Sequence, residues 1–305
     1  MTLQIKPAHW VVLGALTVMW GSSYMLIALA LRGFTPLQVA AGRLLLGAAA
    51  MYVALLLSKQ SLPRDKTRWL YFLAIAFIGN CIPFTLIAWG QQHVDSGLAS
   101  ILVAMTPLWV VVIAHFALPE GRIGLRQLAG FVLGFLGVVV LIGPDSLLAL
   151  GGKSSSFIYE MAIVGAAIGY AISSVLTAKI PETNPIVTTT AVLTLSTAMT
   201  VPLALLDAPL PDPATVQEPL AALVILGVVG TALTTILYFW LVRGAGPRFA
   251  SLFNYLIPLW AVWLGVVVLD EELTASIIIA LVLILGGVIL TQNPKGGEET
   301  VSGSD

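Results

Sequence analysis

The sequence predicts an all-α integral membrane protein: ten transmembrane helices arranged as two inverted five-helix repeats. Three observations carry that expectation. The chain is apolar along nearly its whole length, it is duplicated internally at a constant offset, and its basic residues fall on one side. Hydrophobic residues make up 58% of the 305 positions and charged residues 10%, with a mean hydropathy of +0.99. A water-soluble domain carries about 25% charged residues, so lipid must be the main solvent here. The net charge of −1 excludes nucleic acid as a partner, because no basic patch is dense enough to neutralise phosphates. The single cysteine, Cys81, lies in an apolar stretch and can form no internal disulfide.

Apolar stretches of membrane-spanning length run at roughly 10–31, 35–57, 69–90, 96–118, 125–143, 157–179, 186–206, 219–242, 249–269 and 274–292. Within the first, Ala28-Leu29-Ala30 looks like a signal-peptidase site. Its apolar core is too long for a signal peptide, however, and the matching stretch at 157–179 is internal, so it reads as a retained helix. Residues 293–305, rich in Gly, Ser and Glu, read as a disordered cytoplasmic tail.

The duplication is explicit. Pro107-Leu108-Trp109 recurs 151 residues later as Pro258-Leu259-Trp260. The same offset relates Ala99-Ser100 to Ala250-Ser251, Glu120 to Glu271, Trp89 to Trp240, Gly79 to Gly230, Gly14 to Gly165 and Ser22-Ser23 to Ser173-Ser174. A one-residue slip after Glu120 then aligns Gly137 with Gly287 and Pro144 with Pro294. The chain therefore divides into repeats at 1–143 and 157–292, joined by a Gly- and Ser-rich loop. Five spans per repeat is an odd number, so the second repeat must enter the membrane from the opposite face. With a cytoplasmic N-terminus, that side collects Lys6, Lys59, Arg64, Lys66, Arg68, Arg122, Arg126, Lys179, Arg243, Arg248 and Lys295, against Arg32 and Lys153 on the other. Such asymmetry places both termini in the cytoplasm, and the expected location is a bacterial-type inner membrane. Glu120 then falls at a cytoplasmic helix end and Glu271 at an external one.

Taken in order, the stretches show where polarity was retained in hydrocarbon, where it is costly. The first offers Trp20, Ser23 and Tyr24 on one face, and the second buries Arg43, the one basic residue well inside a span. Arg43 reads equally as a carboxylate ligand or as a cation that snorkels or satisfies carbonyls. Asn80 marks a semi-polar face of the third stretch. The fourth carries Thr106 and Pro107, the fifth a small-residue face of Gly130, Gly134 and Gly137. That face, like Gly286-Gly287 in the tenth, suits packing within a half or a homodimer contact. The sixth presents Tyr170, Ser173, Ser174 and Thr177. In the seventh, Thr194 is the counterpart of Arg43, so no symmetric role is implied for the arginine.

The eighth stretch places Thr231, Thr234, Thr235 and Tyr238 at i, i+3, i+4 and i+7, on one helical face. Asn254, Tyr255 and Pro258 follow in the ninth. Each hydroxyl taken alone reads as a bond to its own i−4 carbonyl; a one-sided stripe reads as the lining of a cavity. Pro107 and Pro258 each free a carbonyl, those of Val103 and Asn254, and read as hinges or as static kinks. Trp109 and Trp260 suit packing or an interfacial belt. Glu160, near a helix start, suits the positive end of a helix dipole.

No Asp or Glu occupies a midplane position, so the usual coupling carboxylate is missing. No P-loop, HExxH, CxxC or GxSxG motif occurs, and three scattered histidines make no metal site. No enzyme activity, cofactor or metal is expected, and a lipid-modifying enzyme would need clustered His, Asp or Glu near one interface.

In their order across both repeats, these residues resemble the EamA family of the drug/metabolite transporter superfamily. The resemblance rests on Trp20-Gly21-Ser22-Ser23, Arg43, Thr106-Pro107-Leu108, and Glu120 leading through Leu128 and Gly130 to Gly137-Val138, echoed by Glu271 to Gly287-Val288. It covers almost all of residues 10–292 and departs from the family pattern where Gly121 follows Glu120 directly. It implies ten helices in an inverted repeat, with helices 1–4 and 6–9 around a cavity and 5 and 10 at the periphery. The expected function is secondary transport, as an exporter, of small metabolites such as amino acids or related amphipathic compounds, by alternating access. A scaffold or channel without carrier activity is the alternative. The expected substrate-binding residues are Trp20, Ser23, Tyr24, Arg43, Asn80, Thr106, Tyr170, Ser174, Thr231, Thr234, Thr235, Tyr238, Asn254 and Tyr255, with the bilayer and a small-molecule substrate as partners.

Overall fold

A computed structural model describes residues 5–117, 124–142, 156–181 and 183–291. The expectations for Glu120, for most of the inter-repeat loop and for the 293–305 tail lie outside these residues. The main helices are α1 (Pro7–Ala30), α2 (Pro36–Leu57), α3 (Lys66–Gly90), α4 (Ser96–Ala117), α5 (Leu125–Ile142), α6 (Ser156–Ala178), α7 (Pro185–Asp207), α8 (Gln217–Ala245), α9 (Phe253–Leu269) and α10 (Ala275–Thr291). Among the described residues, seven helices are long and apolar enough to cross a membrane, accompanied by the shorter apolar α5, α9 and α10. A single helical turn, Pro247–Ala250, precedes α9.

Helix starts follow from local chemistry. An orphan N–H near lipid needs a partner. Thr35 accepts from the Gln38 N–H (3.3 Å) while the Gln38 side chain accepts from the Thr35 N–H (3.1 Å), and Pro36 opens α2 without a donor to satisfy. Asn184 caps α7 through the Ile186 N–H (3.0 Å), again followed by proline. Asp65 caps α3 through Thr67 and Arg68.

Two helices contain a widened π turn: Phe77–Cys81 in α3 and Val228–Leu233 in α8. These segments begin 151 residues apart, the offset of the sequence duplication. A π turn leaves backbone groups out of the regular ladder and is frequent at functional sites. Here Thr231 Oγ1 donates to the Leu226 carbonyl, five residues back, at 3.1 Å.

Packing repeats as the sequence does. Helix α2 lies on α7 and α5 on α10; α1 lies on α8 and α9, as α6 lies on α3 and α4; α8 touches α2, as α3 touches α7. Exchanging each helix for the one five places along leaves this set of contacts unchanged. The glycine faces of α5 and α10 meet each other, so the expectation of packing within one half is corrected: the contact runs between residues of different repeats. A Cβ added at Gly287 would fall on the backbone of Gly130 and Gly134, so the backbones touch because no side chain intervenes. Large apolar residues such as Leu57, Phe116, Leu206 and Val282 face outward. A surface of this kind suits lipid and not water.

Candidate functional site

A cavity of about 500 Å3 lies among the helices, lined by residues of α1 to α4 and α6 to α9 and by none from α5 or α10. It gathers Trp20, Ser23, Tyr24, Arg43, Asn80, Thr106, Tyr170, Ser174, Thr231, Thr235, Tyr238, Asn254 and Pro258 from the residues singled out in the sequence. Both π segments reach it, through Gly79-Asn80 and Gly230-Thr231.

Thr234, Tyr255 and Pro107 do not line it. Thr234 is fully buried and donates to the Thr231 carbonyl at 3.2 Å. A π turn ends at Leu233, so a face extrapolated at 3.6 residues per turn across it misplaces this threonine. Tyr255 packs instead against the apolar cluster built on Leu102, Leu108 and Ile284.

The two prolines differ in their effects. Helix α4 breaks at Ala104-Met105, just before Pro107, and the carbonyl freed at Val103 is taken by Thr106 Oγ1 at 2.7 Å. Pro258 sits within the continuous α9, and the Asn254 side-chain amide donates to the Ser251 carbonyl at 3.2 Å. Trp260 donates to Ser22 Oγ at 3.0 Å, and Trp109 packs on Phe131, so both tryptophans serve packing. Glu160 is buried one turn into α6, past the first N–H groups, so the dipole role expected of it does not hold.

Arg43 is 8% exposed and points at the second π segment. Its Nε donates to Thr231 Oγ1 at 2.9 Å and its Nη2 to the Gly230 carbonyl at 3.4 Å, while the guanidinium carbon lies 4.0 Å from the centre of the Phe84 ring. No Asp or Glu is among the described residues lining the cavity. Also in the lining, Trp20, Tyr238 and Phe253 pack ring to ring, with centroids 4.7–5.8 Å apart. Most stripe hydroxyls donate to their own helix: Ser23 to Met19, Ser174 to Tyr170, Thr177 to Ser173, Thr235 to Thr231. They therefore turn oxygen lone pairs toward the cavity. Thr188, Thr189 and Phe253 also line it. The run Thr188-Thr189-Thr190 was a signal that sequence reasoning passed over.

The two ends of the bundle are unlike. At the end where α1 finishes, residues of the two repeats are tied together. Thr35 Oγ1 donates to Asp207 (2.7 Å), the Gln38 amide donates to the carbonyls of Ala208 (3.0 Å) and Pro209 (3.2 Å), and exposed Arg32 approaches Glu218 (3.5 Å). Asp270 ends α9 in a left-handed conformation, φ 55°. That turn delivers the Glu271 carboxylate to the start of α4, where it accepts the N–H groups of Ser96 (2.7 Å) and Gly97 (2.9 Å). Burial, and then the carboxylates of Glu271 and Glu272, raise the neighbouring Asp95 carboxyl above its ordinary range. Toward the end where α1 begins, the lining continues through Thr188 and Thr189, and Ser174 and Thr177 are exposed. An adjoining cleft of about 410 Å3 shares Thr235 and Phe239 with the cavity and ends at exposed Arg243.

Apolar helices around a partly open cavity, whose largely apolar walls carry a guanidinium, an amide and several hydroxyls, fit a multi-pass membrane protein of the transport class. The chain belongs to the EamA-like transporter family, whose sequence profile matches residues 8–143 and 157–292. It is 24% identical to the uncharacterized transporter YoaV of Bacillus subtilis, over 90% of this chain and 94% of that protein. With the protein PecM of Dickeya dadantii it shares 27% identity, over 90% and 89% of the two chains. It is also 25% identical to the uncharacterized inner membrane transporter YedA of Escherichia coli, over 90% and 88%. A crystal structure 19% identical in sequence superposes with a TM-score of 0.64 over 94% of this chain and 96% of that one, showing a shared fold. The protein is thus a membrane transporter of a family of transporters, and not of a family of enzymes.

Proposed function

We propose that the chain is a secondary transporter of the inner membrane that exports small metabolites, amino acids or related amphipathic compounds, by alternating access around the central cavity. The carrying observation is that one cavity is lined from eight helices, with hydrogen bonds joining the two repeats at one end of the bundle and exposed lining residues, Ser174 and Thr177, toward the other. With both termini in the cytoplasm, the tied end is external and the arrangement is inward-facing. The repeats at 1–143 and 157–292 are read as inverted halves. The symmetric contacts and the matching π turns favour that reading, because halves related in this way can exchange conformations to face either side.

Transport would require the halves to rock, with the break before Pro107 and the buried Pro258 as flexing points. Substrate would meet Trp20, Tyr24, Asn80, Tyr170, Thr235 and Tyr238 on the walls. A metabolite-panel efflux assay, comparing cells with and without the protein, identifies what moves. In that assay Thr235→Trp and Asn80→Trp, which fill the cavity, abolish flux while membrane insertion stays intact. Normal flux in both variants would reject the cavity as the transport site.

A further inference from the structure

Among the described residues that line the cavity, Arg43 carries the one charge. Arg43 is more than nine-tenths buried, and two of its five N–H groups have partners in Thr231 and Gly230. Its charge is faced by an aromatic ring and a hydroxyl, and no acidic residue is among the described residues lining the space beside it. A cation withdrawn from water without an anion is costly unless something else supplies the negative charge. The adjoining cleft carries the exposed cation Arg243, and no acidic residue is among the described residues that line it. Two positive charges along one route, with no negative side chain among the described residues lining either compartment, favour a potential that concentrates anions.

We infer that Arg43 is the anchor for a carboxylate on the transported molecule, so that the cavity takes small organic anions and disfavours cations. This rests on the transport reading above and narrows it. The guanidinium offers a planar fork to a carboxylate, and the Trp20–Tyr238–Phe253 wall receives an apolar or aromatic remainder. Stripe hydroxyls whose protons are already committed accept from donor groups on the same molecule, such as an amide N–H. The asymmetry of the repeat fits this placement: one arginine serves one substrate, and its counterpart Thr194 donates to its own helix at the Thr190 carbonyl.

The test uses the full chain in proteoliposomes. Its substrates are the compounds moved in the metabolite panel, sorted by charge, together with N-acetylated aromatic amino acids and their neutral amides. The expected result is that carboxylates are carried with a KM at least about tenfold below that of the matched amides, the scale of one charge-assisted hydrogen-bonded contact. Arg43→Gln removes this preference, bringing the ratio of the acid and amide KM values to about one whatever it does to overall flux, and Arg43→Lys keeps most of it. A merely structural arginine would impair both members of each pair alike, and that result overturns the inference. Should Arg43→Gln fail to elute as a single species, the wild-type and Arg43→Lys preferences decide the matter. Equal KM values for acid and amide in the wild type, or flux confined to neutral and cationic compounds, overturn the inference and leave transport standing. Silence of the whole panel overturns both readings.

Discussion

A hydroxyl that donates to the carbonyl four residues back is satisfied locally and says little about its surroundings. Thr177 is of this kind, bonded to Ser173 and exposed. Thr231 is not, for its oxygen donates five residues back across the π turn and accepts Arg43 Nε. Replacing Thr231 with the isosteric valine leaves that N–H without a partner, at a cost of about 1–3 kcal/mol. Thermal unfolding in detergent should therefore register a lowered Tm for Thr231→Val and a shift near zero for Thr177→Val. At this scale the site was largely legible, because the cost of polarity in hydrocarbon makes each retained Asn, Arg or Tyr conspicuous. What escaped was orientation. Thr234 shares an i, i+3 spacing with Thr231 yet turns inward, and Thr188 and Thr189 stood in a helix for which no polar face had been traced.

Helices were legible at the scale of elements, since membrane spans need about 20 apolar residues whatever their sequence. Their irregularities were not: a π turn adds one residue without altering the local hydropathy. Even so, Gly79 and Gly230, matched at the repeat offset, sit within the two π turns. Small-residue faces were visible as well, but a face does not declare its partner, and α5 found α10. That contact makes a sharp prediction about adjacent glycines. A Cβ at Gly286 would meet Leu133 at an ordinary 3.4 Å, whereas one at Gly287 would lie 2.8 Å from the Gly134 nitrogen and closer still to the Gly130 carbonyl. Gly286→Ala should leave stability nearly unchanged. Gly287→Ala must push two backbones apart and should cost about 1–3 kcal/mol, the usual penalty of overpacking. Parallel Tm measurements on the two variants check this, and equal shifts would contradict the close α5–α10 approach.

For the whole molecule, the duplication proposes a second conformation in which each half adopts the packing now held by the other. The tied end holds α4 by two backbone N–H groups, those of Ser96 and Gly97, bonded to Glu271. At the repeat offset their counterparts are residues 247 and 248, and the counterpart of Glu271 is Glu120. Residue 247 is proline, which has no N–H to donate, so the mirror-image closure lacks one of the two bonds. A hydrogen bond to a carboxylate contributes about 1.5–3 kcal/mol, which biases the protein toward the conformation closed at the Glu271 end. Pro247→Ser restores the donor and should raise the population of the opposite conformation by roughly 10- to 150-fold. With Cys81 replaced by alanine, a cysteine at position 100, on the cavity wall, reports the change. Its labelling by an impermeant maleimide from outside the cell should be slow in the Pro247 parent and fast in Pro247→Ser. Unchanged labelling would mean that the two ends are not governed by equivalent contacts, and the exchange of conformations between halves would lose its physical basis.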